Sequence, residues 1–285
     1  MKNNNILIAS NSFYNLYNFR LSLIKRLAIK NKILLVASGD KYLKYFNKPR
    51  INIERIDFES RDYSLLNNLK VLLFFKKIIS INKINTVISF TIKPNLFFCI
   101  LKYFFNYKLI LTISGMGDIF LNKSYLNRLT LFFYLLVLNN SDHVFCHNKY
   151  DKNFLIKKNA KLRKKIIVIS GSGINFSKFK YYPIILKKKI SFLLSSRIIR
   201  EKGVIEYIDA AKKISFLYPG KVEFLIIGNR YKNSEFDKLF MKLIKSSPVK
   251  FKNYVNDIRP YIKNATCVVL PSYREGLSKI ILESL

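Results

Sequence analysis

The sequence predicts an α/β protein made of two doubly wound halves, and three observations carry that prediction. Short apolar runs alternate with longer segments of helical periodicity, the pattern of a parallel sheet covered on both faces. The alternation stops at Gly171-Ser172-Gly173-Ile174-Asn175, crosses a polar, lysine-rich stretch to Lys189 and restarts at Ile190. The chain has 285 residues, 50% of them hydrophobic, enough for two ordinary domains. The predicted division is therefore an N-terminal domain over 1–172, a linker over 173–189 and a C-terminal domain over 190–285.

In the first half Ile6–Ala9 reads as a strand, and Phe19–Ile29 as a helix with Phe19, Leu23 and Leu27 on one face. Strands follow at Lys32–Ser38 and Asn52–Ile56, then a helix at Leu65–Ile79, a strand at Thr86–Ser89 and a helix at Asn95–Phe105. Lys108–Ser114 is a strand, Tyr125–Leu138 a helix, and His143–Cys146 and Ile166–Ile169 are strands. In the second half strands at Ile190–Ser195, Val222–Ile227, Val249–Lys252 and Thr266–Leu270 alternate with helices at Val204–Leu217, Phe236–Ile244 and Ile258–Lys263. A last helical segment begins near Leu277. This half supplies about four strands and ends inside a helix at Leu285, which would leave apolar faces unburied, so the second domain is expected to be incomplete.

Composition limits the function classes. Lys and Arg number 51 against 17 Asp and Glu, a formal net charge of +34 that would attract phosphorylated substrates, anionic lipid or nucleic acid. The basic residues are spread through every segment, as a Lys-, Asn- and Ile-rich composition alone would spread them. Cys99, Cys146 and Cys267 lie far apart in apolar runs, which reads as buried reduced thiols in the cytoplasm. The polar start Met1–Asn5 is no signal peptide, and no apolar stretch is long enough to span a bilayer. The 18 Tyr and 24 Phe fall mostly at core spacing, Phe74, Phe75, Phe132 and Phe133 among them, so an aromatic RNA surface is not expected. His143 and His147 lie about 13 Å apart along a strand, too far to share a metal. No Asp-x-Asp pair, Walker loop or G-x-G-x-x-G is present.

The stretch with most chemistry is Leu270–Leu285. A buried strand stops at Pro271, a loop with Glu275 and Gly276 follows, and Leu277, Ile280, Ile281 and Ser284 have helical spacing. Free N–H groups at a helix start attract an anion, and Gly276 permits close approach of the backbone. Glu275 in the loop and Glu283 about two turns into the helix could lie near either end of a diphosphate. On physics alone this is a weak signal, and an ordinary strand–turn–helix with two solvated glutamates is the better reading. A second constellation, Ser196-Arg197-Ile198-Ile199-Arg200-Glu201-Lys202-Gly203, sits between a strand and a helix, where Arg197 can grip a phosphate through two bonds and Lys202 adds a point charge.

The last stretch resembles the E-x7-E signature of family 4 glycosyltransferases, retaining enzymes of the GT-B fold. Its form Arg274-Glu275-Gly276-Leu277-Ser278-Lys279 looks like that of bacterial enzymes extending lipid-linked surface polysaccharides. The run from Ser196 to Gly203 resembles the family's diphosphate-binding S-R-x-x-x-E-K-G, and Gly228-Asn229 its loop beside the nucleotide base. In the N-terminal half Tyr17-Asn18-Phe19-Arg20, Thr91-Ile92-Lys93-Pro94-Asn95 and Gly115-Met116-Gly117 resemble acceptor-side segments of the same subgroup. Asn148 and Asp151 match its N-x-x-D helix start, where Asn148 or Lys149 could cap and Asp151 complement the helix dipole.

The resemblance implies two Rossmann-like domains facing across a cleft, the second incomplete because the family continues further. It implies a hexosyl- or N-acetylhexosaminyl-transferase that takes a nucleotide-diphosphate sugar, UDP-linked by expectation, to a polyprenyl-diphosphate-linked saccharide. Glu275, Arg197 and Lys202 would be catalytic. Gly228, Asn229, Gly276, Leu277, Ser278 and Glu283 would bind the donor, and Asn18, Arg20, Lys93, Asn95, Gly115 and Gly117 would face the acceptor. No metal or other cofactor is implied, and no catalytic histidine is carried over. The protein would sit on the cytoplasmic face of an anionic membrane, with no nucleic-acid partner. An inactive, truncated relative is the alternative, and a basic nucleic-acid-binding protein a more distant one.

Overall fold

The computed structural model describes residues 4–56, 64–115, 125–176, 178–183 and 188–285, with 125–130 as backbone. The chain divides into two compact units, Met1–Ser172 and Gly173–Leu285.

Unit 1 is a seven-stranded parallel sheet in the order β3-β2-β1-β4-β5-β6-β7. Its strands are β1 (Asn5–Ala9), β2 (Lys32–Ala37), β3 (Ile51–Arg55), β4 (Thr86–Phe90), β5 (Lys108–Ile113), β6 (His143–Cys146) and β7 (Ile166–Val168). The helices described are α1 (Phe13–Ala28), α2 (Leu65–Ile81), α3 (Ile92–Leu101), α4 (Tyr125–Leu138) and α5 (Lys149–Lys158), with 3-10 turns at Leu43–Phe46 and Ala160–Lys164. Strand alternation splits the core in two. Leu7 and Ala9 pack with Val71, Phe75, Phe98 and Leu138 under α2, α3 and α4, while Ile6 and Ile8 pack with Phe13, Leu16 and Ile24 of α1.

Several expectations need correcting. Helix α1 starts at Phe13, six residues before the predicted Phe19, because Ser12 caps it by accepting a hydrogen bond from Asn15 N–H at 3.2 Å. Its inner face is Phe13, Leu16, Arg20 and Ile24, and Leu23, expected inside, is 41% exposed. Phe132 and Phe133 of α4 are 56% and 52% exposed, since Tyr134 and Leu138 take the inner positions. Cys267 is exposed, while Cys99 and Cys146 are buried. Asn148 is the cap of α5, its Oδ1 accepting from Asp151 N–H at 2.7 Å.

Unit 2 is a four-stranded parallel sheet, β10-β9-β8-β11, with β8 (Ile190–Ser195), β9 (Val222–Ile227), β10 (Val249–Lys252) and β11 (Cys267–Val268). Its helices are α6 (Val204–Leu217), α7 (Glu235–Lys245), α8 (Arg259–Asn264) and α9 (Lys279–Ser284). Leu194, Phe224 and Ile226 pack with Val204, Tyr207, Ile208 and Phe240. Strand β11 is shorter than the predicted Thr266–Leu270. It is an edge strand bonded to β8 alone, and no residue after Val249 is fully buried.

Asp142, at the turn into β6, accepts from Leu109 N–H at 2.6 Å and pairs with Lys102. Its burial would raise the carboxyl pKa, but these two bonds overcome it and hold the group below its usual range. A depressed carboxyl contributes stability above its unfolded pKa and loses it as pH falls through the folded one. Asp142→Asn should therefore lower the melting temperature at pH 7, and the deficit should shrink as pH drops below the usual carboxylate range. Thermal melts of both chains across that range check it.

Candidate functional site

Unit 2 brings the sequence motifs to one place. Strand β8 pairs with β9 on one side and β11 on the other, so the sheet order reverses at β8. Open parallel sheets hold ligands at such a reversal, outside the carboxyl ends of the strands. The Arg197–Gly203 segment leaves β8 there, and the Pro271–Ser278 segment leaves β11.

Gly203 sets how closely these segments meet. It ends the 3-10 turn Arg200–Lys202 at φ 67°, and a Cβ there would sit 2.2 Å from the carbonyl oxygen of Pro271. Tyr273 N–H donates to the Glu201 carbonyl at 3.0 Å, and the Tyr273 hydroxyl donates to the Glu206 carboxylate. That last bond keeps the Glu206 carboxyl below its usual range. The consequence is an ion pair between the Lys202 ammonium and Glu275, residues 73 positions apart, both side chains mostly buried.

Gly228 performs the same service on the β9 side. A Cβ there would lie 1.7 Å from the Ser196 carbonyl oxygen. Ile198 N–H donates to the Asn229 carbonyl at 2.9 Å, and Gly228 N–H to that of Lys252 at 3.1 Å. Arg197 is thus carried beside Gly228-Asn229, its guanidinium exposed with Nη1 3.5 Å from the Tyr231 hydroxyl. Arg197 does not join the Lys202–Glu275 pair; the segment carries its two cations at separate points.

Gly276 and Ser278 are half-buried and Leu277 is exposed. Ser278 is the N-cap of α9 but makes no side-chain capping bond, and Ser272 Oγ is buried without a partner. Glu283 pairs with Lys279 at 3.2 Å, and burial raises its carboxyl pKa against the pull of that lysine. The site thus offers two cations, two carboxylates, an open hydroxyl and a helix start at one edge of one sheet. Tyr273 and Glu206 were not expected to matter. Glu206 meets a partner 67 residues away in the chain, which spacing alone does not reveal.

The acceptor-side residues of unit 1 divide. Asn95 is fully buried and gives its amide to the Thr112 carbonyl at 3.1 Å and the Tyr134 hydroxyl at 3.3 Å, a bracing position between α3, β5 and α4. Asn18 Nδ2 donates to the Tyr14 carbonyl at 3.0 Å, and Lys93 is half-buried. Gly115, at φ 153°, ends the described part of its motif, and Gly117 lies outside the described residues. Arg20 is buried over the Phe90 ring, 4.3 Å from its centroid. A hollow of about 460 Å³ lined by Gly39, Asp40, Lys41, Leu43, Lys44 and Arg55 holds none of these residues.

Comparison with known proteins follows this geometry. Residues 176–285 match the model for glycosyl transferases group 1. The chain is 24% identical over 291 residues to N,N'-diacetylbacillosaminyl-diphospho-undecaprenol alpha-1,3-N-acetylgalactosaminyltransferase of Campylobacter jejuni, covering 94% of this chain and 74% of that one. A glycosyltransferase structure from Rickettsia africae superposes with a TM-score of 0.75 at 16% identity, covering 100% of this chain and 77% of the other. Anabaena Alr3699/HepE, solved with UDP and glucose, does so with a TM-score of 0.75 at 16% identity, covering 98% and 77%. These likenesses show the GT-B fold.

The two glycines make a direct prediction. Gly203→Ala and Gly228→Ala should each destabilise unit 2 by at least about 1 kcal/mol, because the added carbon meets backbone oxygen and, at Gly203, a left-handed φ. Urea unfolding of the variants against a Gly220→Ala control, where a Cβ would meet nothing within 4 Å, separates close approach from backbone strain.

Proposed function

Residues 176–285 match the model for glycosyl transferases group 1, and from that match we propose that the chain is a glycosyltransferase that carries a hexose or N-acetylhexosamine from a nucleotide-diphosphate sugar to a polyprenyl-diphosphate-linked saccharide. A UDP-sugar is the proposed donor, and configuration at the anomeric carbon is retained. The Campylobacter relative's name, which describes transfer of a sugar to a diphospho-undecaprenol-linked saccharide, supports the acceptor class. The Anabaena structure solved with UDP supports the nucleotide.

The observation that carries the reading is the Lys202–Glu275 pair at the sheet reversal. As the glycosidic bond breaks, negative charge develops on the departing diphosphate. A cation fixed beforehand by packing stabilises that charge without reorganising during the reaction. Lys202 is held by Gly203 against Pro271, and Arg197 by the Ser196–Gly228 approach. The diphosphate oxygens would replace Glu275 at the Lys202 ammonium, freeing the Glu275 carboxylate for the donor sugar. The backbone from Gly276 through Ser278 would cradle the phosphates, and Gly228-Asn229 would flank the base. Glu283, half-neutralised by Lys279, would meet the ribose hydroxyls.

A second set of observations supports work at an anionic membrane surface on the cytoplasmic side. Helix α2 exposes Leu65, Leu66, Leu69 and Leu73 beside Lys70, Lys76 and Lys77, and α4 exposes Phe132, Phe133 and Leu136. Both helices lie on the same side of the unit 1 sheet, against α3. Apolar side chains among lysines are the make-up of a helix that rests in a headgroup layer. Among the described residues no helix is long and apolar enough to cross a membrane.

Lys202→Ala and Arg197→Ala should each reduce transfer from a nucleotide sugar at least about a hundredfold, the size of comparable electrostatic terms. Radiolabelled transfer to a polyprenyl-diphosphate disaccharide, run over a panel of nucleotide sugars, reads this out; full activity in both variants would remove their assigned role. Replacing Leu66 and Leu69 by Ser should lower co-sedimentation with phosphatidylglycerol vesicles severalfold while leaving the melting temperature unchanged. Equal sedimentation of variant and parent would exclude α2 as the docking face.

A further inference from the structure

One hollow in unit 1 belongs to neither set of motifs. It lies beyond the paired ends of β2 and β3, where Ala37 stands opposite Arg55, and its volume is about 460 Å³. Gly39, Asp40, Lys41, Leu43, Lys44 and Arg55 line it. The sheet order reverses between β1 and β4, so the hollow stands outside the reversal, toward the β3 border of the sheet. Its volume is in the range of sites that take a small ligand or headgroup.

The lining sets three cations against one carboxylate, and backbone already engages that carboxylate. Asp40 Oδ2 accepts from Tyr14 N–H in the first turn of α1 at 2.6 Å, and its Oδ1 from Tyr42 N–H at 2.8 Å. The lysines lie against aromatic faces, Lys41 5.4 Å from the Tyr42 ring centroid and Lys44 5.6 Å from that of Tyr45. A ring face attracts an ammonium without cancelling its charge. Neither Lys44 nor Arg55 pairs with a carboxylate among the described residues. The hollow is therefore built for an anion.

Two neighbouring features say where that anion comes from. Four tyrosines pack beside the hollow, Tyr17 5.1 Å from Tyr42 and 4.5 Å from Tyr45, and Tyr14 5.3 Å from Tyr42. Tyr14 and Tyr45 reach the surface, and tyrosine is a residue that settles at the headgroup level of a bilayer. The second feature is α2. Asn5 Nδ2, at the amino edge of the sheet, donates to the Asn82 carbonyl at 2.9 Å, so α2 ends at that edge. Its 17 residues span about 25 Å, which puts its start at the carboxyl edge. The exposed Leu65 and Leu66 thus leave from the same edge as the hollow.

We propose that the hollow lined by Lys41, Lys44 and Arg55 seats the phosphate of an anionic phospholipid headgroup. The membrane as source rests on the proposed docking of α2; the positive hollow does not. A guanidinium holds two phosphate oxygens at once, and the ammonium groups add point charges. Residence on the membrane then depends on lipid charge as well as on apolar contact. The site is separate from the acceptor's diphosphate, because none of its residues belongs to a segment that resembles the acceptor side.

Flotation of the full chain with phosphatidylcholine vesicles, with and without phosphatidylglycerol, tests the proposal. Each cation at a membrane surface contributes about fivefold, so Lys44→Gln/Arg55→Gln should weaken binding to phosphatidylglycerol vesicles by at least about tenfold. Binding to phosphatidylcholine alone should match the parent. Lys242→Gln/Lys245→Gln, which removes the same charge from exposed positions of α7, should lose less than about twofold. Equal losses in the two double variants overturn the site, because diffuse charge then explains the attraction. Full binding by Lys44→Gln/Arg55→Gln overturns it too, and if the serine variant of Leu66 and Leu69 fails to bind, the α2 reading still stands. A parent chain that binds neither vesicle overturns both readings. Calorimetric titration with inorganic phosphate, without vesicles, reads the source. Tight binding by the parent that Lys44→Gln/Arg55→Gln abolishes would assign the hollow to a free phosphate and overturn the lipid source.

Discussion

The constraint on which the functional edge of unit 2 depends is backbone packed against backbone without an intervening side chain. Gly203 lies against the Pro271 carbonyl and Gly228 against that of Ser196, at separations no other residue allows. These approaches draw the segments after β8, β9 and β11 to one edge of the sheet. The cations and carboxylates they carry then become neighbours although their sequence positions are far apart. The Tyr273–Glu206 and Tyr273–Glu201 bonds hold the same seam from the solvent side. A pair such as Lys202 and Glu275 contributes little as an isolated surface contact. In the proposed reaction its value is orientation, because the ammonium is fixed before a diphosphate departs.

The two units handle charge in opposite ways. In unit 2 the lysine of the site is matched by a carboxylate. In unit 1 the buried Arg20 guanidinium lies over the Phe90 ring. A chain of net charge +34 draws anions to its whole surface.

Much of this was legible from residue order, and the failures have definite causes. Strand positions in both units were readable because buried parallel strands are continuous apolar runs bounded by turns. The start of α1 was not, because its inner face includes Arg20: a charged residue at a buried position breaks the apolar period and shifts the apparent stripe to Leu23. Phe132 and Phe133 look like core by composition, but Tyr134 and Leu138 take the inner positions of α4. Asn95 reads as a ligand-facing amide within its motif, whereas the fold spends it on bracing Thr112 and Tyr134.

By itself the sequence determined that there are two α/β units, where they divide, and which short segments carry cations, carboxylates and glycines, since periodicity and turn chemistry are local properties. Tertiary structure alone decided which of those groups meet. Lys202 finds Glu275, and Arg197 stands apart beside Gly228, because sheet order and two close backbone approaches set distances that residue spacing does not encode.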